Sequence, residues 1–117
     1  MPKAMREPTF WILTALAGGT QHGYGVIQQV SHLTDGQVTL LAGTLYAALD
    51  RLAAEGLVEI DREEIVDGRT RRYYRLSSGG RTALADETER LQRNAKTARQ
   101  QLYGPGTAPA REGLSPA

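Results

Sequence analysis

The fold of this chain is decided by residues 43–58, which read GTLYAALDRLAAEGLV. Three leucines of this stretch fall at i, i+4 and i+7: Leu45, Leu49 and Leu52. That spacing places their side chains on one face of an α-helix, where they form a buried stripe. Gly56 ends the pattern, because glycine tolerates the left-handed backbone that closes a helix. The stretch predicts a helix over about 42–55, with a start that is poorly capped unless Thr39 supplies a cap one turn earlier.

Two further helices are predicted upstream. The segment from Thr9 to Ala17 follows Pro8, which suits the first turn of a helix, and its apolar residues cover nearly the whole circumference. The segment over about 24–33 has apolar residues at helical spacing. A helix that is apolar all round must be buried on more than one face, and a second subunit can supply one of those faces.

A hairpin and a long helix are predicted downstream. Strands over about 57–65 and 71–77 flank Asp67-Gly68, a dipeptide that supplies the positive φ angles of a tight turn. Ser77 and Ser78 are capping candidates for a helix over roughly 78–103. Its apolar seam has heptad-like spacing and comprises Leu84, Thr88, Leu91, Ala95, Ala98 and Leu102.

The order of helix, helix, helix, hairpin and long helix predicts a mainly α fold with a small β-hairpin, a winged helix-turn-helix. We expect the winged domain over 1–77, a dimerisation helix over 78–103 and a disordered tail over 104–117, where glycine, proline and alanine dominate.

Composition excludes several functional classes. The 117 residues include no cysteine and two histidines, which excludes thiolate catalysis and cysteine metal sites and leaves no pattern of metal ligands. No nucleophile–base pair or paired acids indicate an enzyme, so a small hydrolase or transferase is disfavoured, and no cofactor is expected. The longest apolar stretch is far shorter than a membrane span, and a cytoplasmic protein is the default expectation.

The charge is informative only locally. Fourteen basic and thirteen acidic side chains give a formal net charge of +1. Residues 68–75, in contrast, read GRTRRYYR and contain four arginines and no acid. A nucleic-acid signal is therefore confined to the predicted wing.

Three motifs in order resemble the PadR family of transcriptional regulators. Residues 43–58 resemble its G-[ST]-L-Y-x-x-L-x-R-L-x-x-x-G-L-[IV] signature, residues 22–25 (HGYG) its H-G-Y segment, and residues 68–76 its G-R-x-[RK]-[KR]-Y-Y wing. The similarity covers about residues 9–102. The short chain, with one helix after the wing, is similar to the smaller subfamily, which implies a dimeric bacterial repressor. A rival interpretation of residues 22–25 as a phosphate-binding glycine loop is rejected, because they lack a Walker lysine and follow a helix.

The predicted DNA contacts come from the residues and from this resemblance. Opposite the leucine stripe, the third helix has a face of small or polar residues that can approach the major groove. The full set of predicted contacts is His22, Tyr24, Ala42, Gly43, Thr44, Tyr46, Ala47, Arg51, Arg69, Thr70, Arg71, Arg72 and Tyr74. Tyr46 is by resemblance a phosphate contact or a brace, and alternatively packs on Tyr24. The wing arginines alternatively pair with Glu63, Glu64 and Asp67 across the strands.

The last helix has two interpretations. It either covers its own domain or forms a dimer interface with the first helix of a partner. The predicted dimerisation residues are Phe10, Leu13, Ala17, Leu84, Thr88, Leu91, Ala95, Ala98 and Leu102. Ala95 and Ala98 either pack tightly or leave a cavity for a small-molecule effector. These expectations describe a homodimeric repressor of a pseudo-palindromic operator, and the alternative is a winged-helix protein-interaction module that does not bind DNA.

Overall fold

The computed structural model describes residues 4–104, in which four helices and three strands follow one another. Their bounds are α1 (Glu7–Ala17), β1 (Gln21–His22), α2 (Gly23–Leu33), α3 (Ala42–Ala54), β2 (Val58–Val66), β3 (Arg69–Leu76) and α4 (Ser78–Tyr103). The predicted order is confirmed, and the predicted mainly α winged-helix fold with it. The two-residue strand β1 was not predicted.

The three strands form one antiparallel sheet in the order β1-β3-β2. At the hairpin tip, Asp67 and Gly68 have φ angles of 53° and 75°, so the predicted turn is confirmed. The register shifts by one residue between Ile60 and Arg62, which makes Asp61 the extra residue of a β-bulge. At the other edge of β3, His22 of β1 lies opposite Tyr73.

The core lies between the first three helices and the sheet. Its buried apolar residues are Ile12, Leu13, Ala15, Leu16, Val26, Val30, Leu40, Leu45, Leu49, Leu52, Val58, Tyr74 and Leu76. The predicted leucine stripe of α3 is confirmed, since its three members are fully buried.

Helix α1 is buried over much of its circumference by its own chain. This corrects one predicted dimer contact: Leu13 is 0% exposed, so no part of its side chain is available to a partner. Leu84 of α4 is half-buried and packs against the same core, as does Ala17. Phe10 is half-buried and has its ring edge-on to Trp11.

Ser77 joins the end of α3 to the start of α4. Its Oγ accepts a hydrogen bond from the Gly80 amide at 2.9 Å and donates one to the Gly56 carbonyl at 2.6 Å. The prediction of a serine cap at this point is confirmed. A side chain at Gly80 would overlap the carbonyl oxygen of Leu57, so glycine permits this close approach of two backbone segments.

The start of α3 has no side-chain cap, as at α1 and in contrast to α2 and α4. Leu41 is its N-cap, and no side chain, including that of Thr39, accepts a hydrogen bond from the free amides there. The sequence-based expectation of a poorly capped start is therefore confirmed.

The chain divides into two compact units between Ala85 and Asp86. The first contains α1 to β3 and about two turns of α4, so the division lies inside α4. The predicted boundary at residue 77 between a DNA-binding domain and a dimerisation helix stays a prediction. In the second unit every residue over 91–103 is exposed. The predicted tail over 104–117 lies outside the described residues, apart from Gly104. Along residues 4–104, none of the helices combines the length and apolar character that crossing a membrane requires.

Candidate nucleic-acid interface

The first unit has a concavity with a volume of about 790 Å³. It lies where the start of α2, the exposed side of α3 and the wing (β2, β3 and their turn) meet. Its lining residues are His22, Tyr24, Tyr46, Asp50, Val66, Asp67, Arg69, Thr70, Arg71, Arg72 and Tyr74. Eight of the predicted DNA-binding residues are therefore brought together on one surface.

His22 holds the start of α2. Its Nδ1 accepts a hydrogen bond from the Gly25 amide at 3.1 Å, which requires that Nδ1 carry no proton. Burial lowers the pKa of His22, and the positive charge of Arg71 lowers it further. Its ring is edge-on to Tyr73, with the ring centroids 5.5 Å apart. His22 is thus a neutral capping residue that fixes the α2 end of the concavity.

Tyr46 lies on Gly23. A side chain at Gly23 would overlap the hydroxyl end of the Tyr46 ring, so the glycine makes room for it. Tyr46 therefore braces α3 against the start of α2, and it is still 45% exposed. Within the described residues no ring contact joins Tyr46 to Tyr24, which is itself 62% exposed. The brace is supported, and packing on Tyr24 is not.

The wing arginines divide into two groups. The Arg72 Nε donates to Glu63 Oε2 at 2.8 Å, as in the alternative interpretation in which wing arginines pair with acidic residues across the strands. Arg69 and Arg71 form no ion pair with any described residue, and both line the concavity. The positive charge on this surface that forms no ion pair comes from these two side chains, although Arg71 also attracts Glu64 and lowers the pKa of its carboxyl group.

A network of ion pairs joins β2 and β3. Arg75 bonds Glu59 at 2.9 Å and Asp61 at 3.0 Å, and Arg62 bonds Asp61 at 3.1 Å and Glu64 at 3.0 Å. The hydrogen bond from Arg62 lowers the pKa of Glu64. The carboxylate of the bulge residue Asp61 therefore connects the arginines of both strands.

The sheet is tied to α2 through Tyr73. Arg62 lies over the Tyr73 ring, with its guanidinium carbon 4.0 Å from the ring centroid. Since Tyr73 also contacts His22, the base of the wing and the start of α2 are held by one chain of contacts.

One predicted contact needs correction, and another has partners within the chain. Arg51 does not line the concavity: it donates to Thr9 Oγ1 at 3.1 Å and pairs with Glu55 at 3.6 Å, so it links α3 to α1. Tyr74 lines the concavity but is only 3% exposed, because its ring belongs to the core. We therefore assign Tyr74 a structural role, whereas the DNA contact of Arg51, whose side chain is 48% exposed, stays a prediction.

The remaining predicted residues of α3 lie on its outer face. Ala42, Gly43, Thr44 and Ala47 are exposed but do not line the concavity. They form a face with no charge and no long side chain, as close approach to another molecule requires.

Sequence reasoning missed three acidic or apolar members of the concavity, namely Asp50, Val66 and Asp67. Asp50 was detectable, since it follows Tyr46 by four residues and so shares its helical face. Among the residues described by the structure, no group of three or more histidine, cysteine or acidic side chains could hold a metal ion.

Comparison with known proteins identifies the family. Residues 12–86 match the sequence model described as the transcriptional regulator PadR-like family. A transcriptional regulator of Mycobacterium tuberculosis is 36% identical over 85 residues, which are 73% of this chain and 76% of that protein.

Solved structures agree with this match. A PadR family transcription regulator from hypervirulent Clostridium difficile is 25% identical, with a TM-score of 0.67 over 80% of this chain and 96% of that one. Bacillus subtilis PadR in complex with operator DNA is 23% identical, with a TM-score of 0.62 over 69% of this chain and 46% of that one, a likeness of fold. The chain therefore belongs to the PadR-like family of transcriptional regulators.

Proposed function

We propose that this chain is a homodimeric, sequence-specific DNA-binding repressor that acts in the cytoplasm on a pseudo-palindromic operator. The observation that carries the proposal is the concavity, which places two unpaired arginines of the wing beside the exposed tyrosines of α2 and α3. The fold likeness to Bacillus subtilis PadR in complex with operator DNA supports it.

Each part of the surface suits one part of a DNA duplex. The small outer face of α3 fits the major groove, where helix N-terminal residues reach base edges. The hydroxyls of Tyr24 and Tyr46 can donate to phosphate oxygens. Arg69 and Arg71 project from the strand next to the wing turn, where they can contact the backbone or enter the minor groove.

The exposed half of α4 supports a dimer. Residues 91–103 are a continuous helical segment with every residue exposed, and isolated helices of this length are marginally stable in water. Leu91, Ala95, Ala98 and Leu102 follow each other at spacings of four, three and four along it. Packing this stripe against a second copy stabilises the segment and brings two recognition helices onto one palindrome.

The proposal includes regulation by a small molecule that binds at the dimer seam. Ala95 and Ala98 leave space in the seam that an effector can occupy. An effector that favours a dimer with a different spacing between its recognition helices lowers operator affinity by shifting the population of dimers. The protein's own promoter is the first operator to test.

Selection of bound sequences from a random duplex library tests the DNA-binding part. The wild type should enrich an inverted repeat, and Ala47→Glu should lower affinity for it at least tenfold, because a carboxylate on the outer face of α3 repels phosphates. The matched control is Ala54→Glu, the same change about 10 Å further along the helix axis, which should stay within about threefold of wild type. Failure to enrich any sequence would support the protein-interaction module instead.

Light scattering tests the assembly. The mass of the DNA-free protein should be that of two chains at micromolar concentration, and a one-chain mass would overturn the homodimer. A reporter gene placed behind the selected sequence tests the direction of regulation, since a repressor lowers its expression.

A further inference from the structure

The N-cap of α3 exposes a large apolar side chain. Leu41 is 72% exposed in extended backbone, whereas its neighbour Leu40 is buried in the core. Leu41 is not among the residues that pack against the core. The side chain therefore stands at the tip of the helix that our proposed function places in the major groove.

This leucine breaks a local rule of helix stability. A serine, threonine, aspartate or asparagine at the N-cap would bond a free amide of the first turn. The side chains of His22 and Ser77 cap α2 and α4, whereas α1 and α3 have no side-chain cap. At α3 the cap is absent and an apolar group is exposed. Residues that lower stability in this way are expected at functional sites.

The surrounding face limits what Leu41 can recognise. The exposed neighbours Ala42, Gly43, Thr44 and Ala47 have only one hydrogen-bonding side chain among them, that of Thr44. The nearest arginine on α3, Arg51, is bonded to Thr9 and Glu55. Reading bases by paired hydrogen bonds needs side chains that this face lacks. The apolar feature of the major groove is the C5-methyl group of thymine.

We propose that Leu41 is a specificity-determining residue that packs on the C5-methyl group of one thymine in each operator half-site. The proposal rests on the proposed function, because it assumes that α3 enters the major groove. It adds a base type and a residue: the half-site holds a thymine at the position under the N-cap of α3, and Leu41 distinguishes it from cytosine.

The test replaces thymines of the selected duplex one at a time by deoxyuridine, which removes only the methyl group. Burial of one methyl corresponds to about fourfold in affinity. We expect one thymine per half-site whose replacement weakens the wild type about fourfold, and about fifteenfold when both half-sites are changed. In Leu41→Ala the same replacements should change affinity less than about 1.5-fold.

Two further variants separate recognition from folding. Leu41→Ser supplies a cap, so it should be at least as resistant to urea as the wild type and should still be insensitive to deoxyuridine. Leu33→Ala removes another exposed leucine, at the end of α2, and should keep the full methyl sensitivity of the wild type.

The outcomes are distinguishable. Equal methyl sensitivity in Leu41→Ala and the wild type would assign the contact to another residue and overturn the proposal. A wild type that binds its selected sequence without sensitivity at any thymine would also overturn it, while leaving the proposed function intact. A wild type that selects no sequence would refute the proposed function, and the role of Leu41 with it.

Discussion

Replacing Arg69 and Arg71 together by alanine should remove a defined part of the salt dependence of DNA binding. These are the wing arginines that line the concavity without an ion pair among the described residues. Each phosphate that a protein neutralises contributes about 0.9 to the slope of log affinity against log salt concentration. Two arginines in each of two wings therefore contribute about 3.6 to the slope of a dimer.

This slope corresponds to a large difference in affinity. Between about 50 and 200 mM KCl, the wild type should lose about 150-fold more affinity than the double variant. The assay is fluorescence anisotropy of a labelled duplex holding the selected sequence, measured at five or more salt concentrations. A non-specific duplex of the same length should show a similar change of slope, because phosphate contacts are independent of sequence.

Arg72 is the matched control within the same wing. Glu63, at 2.8 Å, compensates its charge. If Arg72 moves to a phosphate, Glu63 is left uncompensated and binds a cation from solution. That cation offsets part of the counterion release from DNA. Arg72→Ala should therefore change the dimer slope by less than about 1, whereas Glu63→Gln should raise it toward an additional 1.8. The reasoning is refuted if the double variant keeps the wild-type slope or if Arg72→Ala lowers it by as much as the double variant does.

Three other predictions concern folding and assembly. Gly80→Ala should lower the free energy of unfolding by about 3 kcal/mol, because the added methyl group would overlap the Leu57 carbonyl. Gly43→Ala, where the space around the residue is open, should raise the free energy of unfolding by about 0.5 kcal/mol. Urea denaturation measures both changes. For His22, the lowered pKa means that the unfolded chain binds the proton more readily, so wild-type stability should fall as the pH drops below about 6.5. His22→Asn, which keeps a capping acceptor, should remove that part of the pH dependence in the same assay, and an unchanged profile would contradict the assignment. Leu91→Arg should convert a two-chain mass to a one-chain mass in light scattering, and a retained dimer would exclude the α4 seam as the interface.

The parts of the fold set by local sequence were predictable. The leucine stripe of α3, the Asp67-Gly68 turn and the Ser77 cap each depend on residues within a few positions of one another, and all three are present. Strand β1 escaped prediction because it has only two residues and exists through pairing with Tyr73 and Tyr74, about fifty positions away. Short strands of this kind have no periodicity that a sequence can reveal.

The site was predictable in its location and less so in the state of each side chain. The hydrogen bond of Arg51 to Thr9 was not predictable, because the two residues are 42 positions apart in the sequence. The partner of Arg72 depends on the bulge at Asp61. Without the extra residue, the register would set Arg62 opposite Arg72 and Glu63 opposite Arg71. A single inserted residue thus decides which arginines are neutralised, and no property of the individual residues indicates it.

The ion pairs of the hairpin bear on the number of protein molecules that a cell needs. Arg62, Arg72 and Arg75 each have a carboxylate within about 3 Å, so their attraction to distant phosphates is largely cancelled. A chromosome offers on the order of 10⁶ or more competing sites, which sequester strongly basic regulators. A regulator with little uncompensated charge leaves a larger free fraction. Under the proposed function, a few dimers would then suffice to fill one operator, and small changes in their synthesis would alter its occupancy directly.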